Sequence, residues 1–167
     1  MAFAYYKRLT RRQQGIYRKS NEVPAVRLTN VRALQAIVRQ LEETLPGGDQ
    51  HAVQHLCTEL LNRMADGLKI RRVRIVVLAR RPSDETEELH GCYTPAPDGG
   101  HAVIKVWMRT AKRNQVVAFK SFLRTVLHEF CHHLDYVLLG LADSFHTEGF
   151  YQRESSLFHQ VMRKSDA

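Results

Sequence analysis

From residue 31 the apolar positions recur at helical spacing: Val31, Leu34, Val38, Leu41 and Leu45 lie three or four apart until Pro46-Gly47-Gly48 stops the run. Thr29 or Asn30 stands where an N-cap belongs. A second helix follows, with Asp49 to cap it, Val53, Leu56, Cys57, Leu60, Leu61 and Met64 as its face, and Gly67 at its end. His51 and His55 are four apart on it but lack a suitably placed acid, which predicts surface positions. The period then changes to two. Arg72 and Arg74 alternate with Val73, Ile75 and Val77 across Lys69 to Ala79, as in a half-buried strand. An acidic loop, Pro82 to Glu88, leads to a short strand around Leu89 to Tyr93. After the turn from Thr94 to Gly100, a third strand is expected from Ala102 to Arg109.

Between Gln115 and Leu139 apolar residues cover most of a helix circumference, which predicts a buried helix with one polar stripe, Ser121, Thr125, His128, His132 and Asp135. A short connector after Gly140 leads to a last helix ending near Arg163. Strands set between pairs of helices indicate an α+β domain. The expected sheet is small, three-stranded and mainly antiparallel, covered by the helix that carries His128.

The length of 167 residues suits one domain, 29–167, preceded by an arm over 1–28. The arm matters because the formal charge of +8 is concentrated there: Lys7, Arg8, Arg11, Arg12, Arg18, Lys19 and Arg27 stand against Glu22 alone, with Tyr5, Tyr6 and Tyr17 interleaved. Such a segment reads as a flexible, solvated leader or as a DNA contact. No apolar run approaches the length of a membrane span and the start lacks a secretory core, so no membrane partner and a cytoplasmic location are expected. Cys57, Cys92 and Cys131 are few and scattered, which favours buried free thiols over disulfides. Without a C-x-x-C pair there is no separate zinc ribbon.

The candidate chemistry lies in Leu127-His128-Glu129-Phe130-Cys131-His132-His133, which contains H-E-x-x-H. Residues four apart on a helix differ by about 40° of rotation and about 6 Å of rise, so His128 and His132 can face one metal ion. Glu129 lies about 100° around the helix, where it can serve water as general base without ligating the metal. Catalytic zinc usually takes three protein ligands. A compact arrangement, with the third ligand ten residues after His128 and a Gly seven after it, is excluded because Leu138 and Asp135 stand there. Asp135 suits a carboxylate that orients an imidazole. His146, Glu148 and Glu154 remain open as third ligand.

From about residue 70 onward the chain resembles the SprT-like zinc metallopeptidases, in which a small sheet is followed by H-E-x-x-H on a helix and then by H-G-x-x-F carrying the third histidine. His146-Thr147-Glu148-Gly149-Phe150 keeps the His and the Phe, while Thr147 stands where that family commonly has Gly. The resemblance implies a zincin-like fold and Zn2+ held by His128, His132 and His146. It also implies hydrolysis of a protein or peptide substrate with Glu129 as general base. In zincin-like proteins the substrate lies as an added strand on the sheet edge, here the strand of Gly91-Cys92-Tyr93 or that of Trp107. Tyr136, Tyr151 and Arg153 are candidates to assist transition-state charge. Two other readings stand beside this one. One is a DNA-associated binding module with a structural or residual zinc site, and the other a minimal gluzincin-like latent peptidase with Glu154 as third ligand.

Overall fold

The structure is a computed structural model that describes residues 2–80, 91–96, 100–111 and 113–163. The acidic loop, the expected strand start at Leu89 and residues 97–99 of the turn lie outside these. Five α-helices and three strands follow in the order α1 (Arg11–Asn21), α2 (Val31–Thr44), α3 (Gln50–Gly67), β1 (Arg74–Arg80), β2 (Gly91–Thr94), β3 (Val103–Arg109), α4 (Phe119–Val137) and α5 (Glu148–Met162), with short 3₁₀ turns at Ala4–Arg8 and Leu45–Gly47. Among the described residues no helix is long and apolar enough to cross a membrane.

The sheet corrects the expectation of a mainly antiparallel arrangement. Its order is β1-β3-β2, with β1 parallel to β3 and β2 antiparallel to β3. The physical reason is burial. In β3, Ile104, Val106, Trp107 and Met108 are all buried, whereas β2 is four residues long and exposes Cys92 and Thr94. The most apolar strand takes the centre and the short polar one takes an edge. Register pairs Ile75 with Ile104 and Val77 with Val106, so one face of the sheet presents these residues to a core built with Leu60 of α3 and Leu123 and Leu127 of α4.

The amino-terminal segment also departs from the expected flexible arm. Thr10 and Gln13 form a reciprocal capping box that starts α1, and Tyr17 and Ser20 are buried where α1 meets α5. The helix count is therefore one higher than the apolar spacing predicts. Asp49 caps α3 by accepting from Ala52 N at 3.1 Å. Asn30 occupies the cap position of α2 in the left-handed region, φ 57°, and makes no side-chain cap bond. Cys57 and Cys131 are buried free thiols, but Cys92 is exposed on β2. His51 and His55 are exposed.

The outer edge of β1 is closed by α3. Gln54 donates to Ile75 O at 2.7 Å and accepts from Val77 N at 2.7 Å, and Gln50 donates to Val77 O at 2.8 Å. These amides substitute for a missing strand, leaving β2 as the edge open to a partner among the described residues. Replacing Gln54 by Ala strips two backbone groups of their partners. The expected loss is about 1–3 kcal/mol, seen in denaturant unfolding as a lower midpoint at unchanged slope; an unchanged midpoint refutes the bridging role.

Candidate metal centre

His128 and His132 lie one helical turn apart on α4, and the chain between α4 and α5 brings His146 back over them. His146 Nε2 is 3.1 Å from His128 Nε2 and 3.1 Å from His132 Nε2. These three side chains form a group able to hold a metal ion, their ligand atoms all within 4.8 Å of one another. Around a tetrahedral ion with metal–nitrogen bonds of about 2.0–2.1 Å, neighbouring nitrogens stand about 3.3 Å apart, close to what is observed.

The remaining ring nitrogens fix which atom faces the centre. His128 Nδ1 donates to Glu154 Oε1 at 2.7 Å. His132 Nδ1 donates to Ser144 Oγ at 2.7 Å, because the Ser144 hydroxyl gives its own proton to Asp135 Oδ2 at 2.7 Å. With Nδ1 as the donor, the neutral form of each imidazole carries its lone pair on Nε2, the atom turned toward His146, which suits a cation. Beneath all three rings lies Phe150, fully buried, with its ring centre 4.9, 4.7 and 5.1 Å from those of His128, His132 and His146. The aromatic residue four places after His146 is the floor of the site.

The other sequence candidates separate cleanly. Glu154 is committed to His128 on the side away from the three Nε2 atoms. Glu148 Oε2 accepts from Tyr17 and Asn21 at 2.8 and 2.9 Å, away from the cluster. Asp135 reaches His132 through Ser144, and its second oxygen accepts from Arg153 at 2.9 Å in an ion pair with both side chains wholly buried. Burial pushes the Asp135 carboxyl up, against the pull of Ser144 and Arg153. Arg153 is thus internal and does not face the cleft. Tyr136 lines the cleft, and Tyr151 is 42% exposed beside His146.

That cleft has a volume of about 610 Å³ and runs past the three histidines between β2 and α4, with Glu129 in its wall. Glu129 is 7% exposed, and burial raises its carboxyl above the usual range; His128 opposes the rise and Glu154 adds to it. Gly91 explains the close approach of β2: a Cβ there would meet Thr125 Cγ2 at 2.9 Å and Glu129 Cγ at 3.0 Å. Tyr93, two residues on, stacks against His132 and Tyr136 and donates to His133 Nδ1 at 3.0 Å. His133 Nε2 in turn donates to Arg71 O at 2.7 Å, so the third histidine of the motif run ties α4 to the segment that leads into β1 and stands apart from the three-histidine group. Ser144 and Tyr93 carried no motif signal; only the folded connector and the sheet order bring them to the site.

Comparison with protein-family models, with curated proteins and with solved structures finds no match for this chain.

The electrostatics predict a pH dependence. Burial, followed by the charges of His128 and His146, pulls the His132 pKa down to about 3, and burial also lowers that of His146. Unfolded histidine titrates near pH 6.5, so between that value and about 3 the unfolded chain holds a proton that folded His132 refuses. Its contribution is full above pH 6.5 and lost as pH falls, by up to about 1.4 kcal/mol per unit. Metal-free protein should lose stability on acidification from pH 7 to 4, and a His132→Gln variant should show a shallower loss. Equal slopes in the two proteins would exclude this origin.

Proposed function

We propose that the chain is a zinc metallopeptidase of zincin-like architecture that hydrolyses peptide bonds in a protein or peptide substrate. The observation that carries this reading is the convergence of His128, His132 and His146 Nε2 atoms beside buried Glu129 in one open cleft. Three imidazole ligands facing an open cleft match catalytic zinc better than harder cations, which prefer oxygen. The resemblance to SprT-like metallopeptidases supports the same assignment. Its departure at Thr147 is accommodated locally: Thr147 is the N-cap of α5, φ −92°, and accepts from Phe150 N at 2.9 Å, a conformation that needs no glycine.

Zinc bound there supplies Lewis acidity, making water nucleophilic near neutral pH and polarising the scissile carbonyl. Glu129 takes the proton of the attacking water on its carboxylate and then delivers it to the departing amine. Glu154 and Ser144 hold His128 and His132 in the tautomer that leaves Nε2 free. The wall formed by Gly91 and Tyr93 sets β2 against Glu129, and β2 has an outer edge on which an extended peptide can lie as an added strand. The strand of Trp107 is unsuited to this, since β3 is paired on both sides.

Glu129→Gln should retain one zinc per chain while cleavage of a reduced, unfolded protein falls about 10²–10⁴-fold. Cleavage equal to that of the wild type would refute the enzyme reading. In the same series His146→Ala should lose zinc and Glu154→Ala should keep it, with the reverse pattern restoring Glu154 as ligand.

A second reading, DNA contact, is favoured by Lys7, Arg8, Arg11, Arg12, Arg18 and Lys19, all exposed on the segment that leads into and forms α1. Neutralising Arg11, Arg12 and Lys19 together should reduce the salt slope of duplex binding by up to about 3. An unchanged slope removes this reading.

A further inference from the structure

His146 differs from the other two histidines in its support. His128 and His132 sit on the middle turns of a buried helix, whereas His146 lies in the irregular stretch between α4 and α5 and is exposed. A ligand on a loop must be held by something outside that loop, since its own backbone makes few bonds to fix it. The residues that hold it come from the opposite end of the chain. Tyr5 OH donates to His146 O at 2.6 Å. Ser20 Oγ and Thr147 Oγ1 are 2.7 Å apart, and Asn21 Oδ1 accepts from Gly149 N at 2.8 Å while its amide donates to Glu148. Tyr17 OH donates to the same Glu148 oxygen. The third ligand and the three residues that follow it are thereby bound to residues 5–21.

The contact is close enough to dictate a residue type. A Cβ on Gly149 would stand 2.5 Å from Ser20 O and 2.8 Å from Asn21 Cα, so the end of α1 reaches the first turn of α5 only over a glycine. A second branch leaves the same place. Arg153 donates to Ser20 O, Ser20 Oγ and Val23 O, and passes through Asp135 and Ser144 to His132. Two of the three imidazoles are thus tied to one short stretch of the amino-terminal segment.

We propose that the segment Ala4–Asn21 is a positioning element of the metal centre, with Tyr5 and Asn21 holding His146 at its ligating place. This rests on the reading of the three histidines as a metal site. The segment is then part of the site, although none of its side chains ligates.

The test uses the full chain carrying Tyr5→Phe, Asn21→Ala or both. Zn2+ affinity is measured by competition with a chromogenic chelator, and Co2+ in place of zinc reports the coordination number through its visible absorption. Partners that orient metal ligands typically contribute 10–100-fold in affinity. Tyr5→Phe keeps the ring packed on Tyr17, 5.6 Å between centres, and should weaken zinc binding about tenfold. The double variant should weaken it further and reduce the four-coordinate Co2+ band. A purely structural role would lower the melting temperature of the metal-free protein and leave affinity and spectrum unchanged, which overturns the proposal. Should Asn21→Ala fail to fold, Tyr5→Phe decides alone. A wild type that binds no divalent metal would overturn this inference together with the metal site. A wild type that binds zinc while both variants match it overturns the inference only.

Discussion

The buried pair of Arg153 and Asp135 is the interaction on which the arrangement turns. Both side chains are fully removed from water, and the guanidinium spends four of its bonds on Ser20 O, Ser20 Oγ, Val23 O and the carboxylate. Its Nε alone has no partner among the described residues. Removing either partner of such a pair leaves a bare charge in the interior at a cost of about 3–5 kcal/mol. The pair fixes where three pieces of chain meet: the end of α1, the last turns of α4 and the middle of α5. Ser144 then reads the position of Asp135 out to His132. The geometry at the imidazoles is the outer end of an internal hydrogen-bonded chain, and the internal part sets it.

Much of this was legible in the amino-acid sequence because it is written in local periodicity. The faces of α2 and α3, the alternation of β1 and β3 and the apolar circumference of α4 all follow from residues three, four or two apart. H-E-x-x-H is likewise a local pattern, and its helical placement puts His128 and His132 on one side. Asp135 was visible as a group that could steady an imidazole, though its action through Ser144 was not. Serine hydroxyls in a polar connector are too common to mark.

What escaped depends on long-range pairing. The order β1-β3-β2 is decided by which strand is most completely buried, a comparison among strands that no single strand contains. The amino-terminal segment looked like a solvated arm because its cations dominate its composition. Only one side of α1 is needed for packing, and Tyr17 with Ser20 supplies it, while Arg11, Arg12, Arg18 and Lys19 stay in water. The capping box of Thr10 and Gln13 was the available signal for a helix there. Arg153 shows a different limit: a cation near the motif suggests a role toward transition-state charge, and its five donors instead make it suited to an interior junction.

The bonds that tie α1 to α5 join residues far apart along the chain: Tyr5 to His146 across 141 positions and Asn21 to Gly149 across 128. Contacts of such separation form late, because the loops they close must first lose their freedom. As the polypeptide is synthesised, α1 through α4 can gather around the sheet while the third imidazole has yet to emerge, and α1 waits without its partner. Completion of the three-histidine group therefore depends on the docking of α5, which packs against α1, α2 and α4. An ion held by the three histidines would then report that α1 and α5 have met.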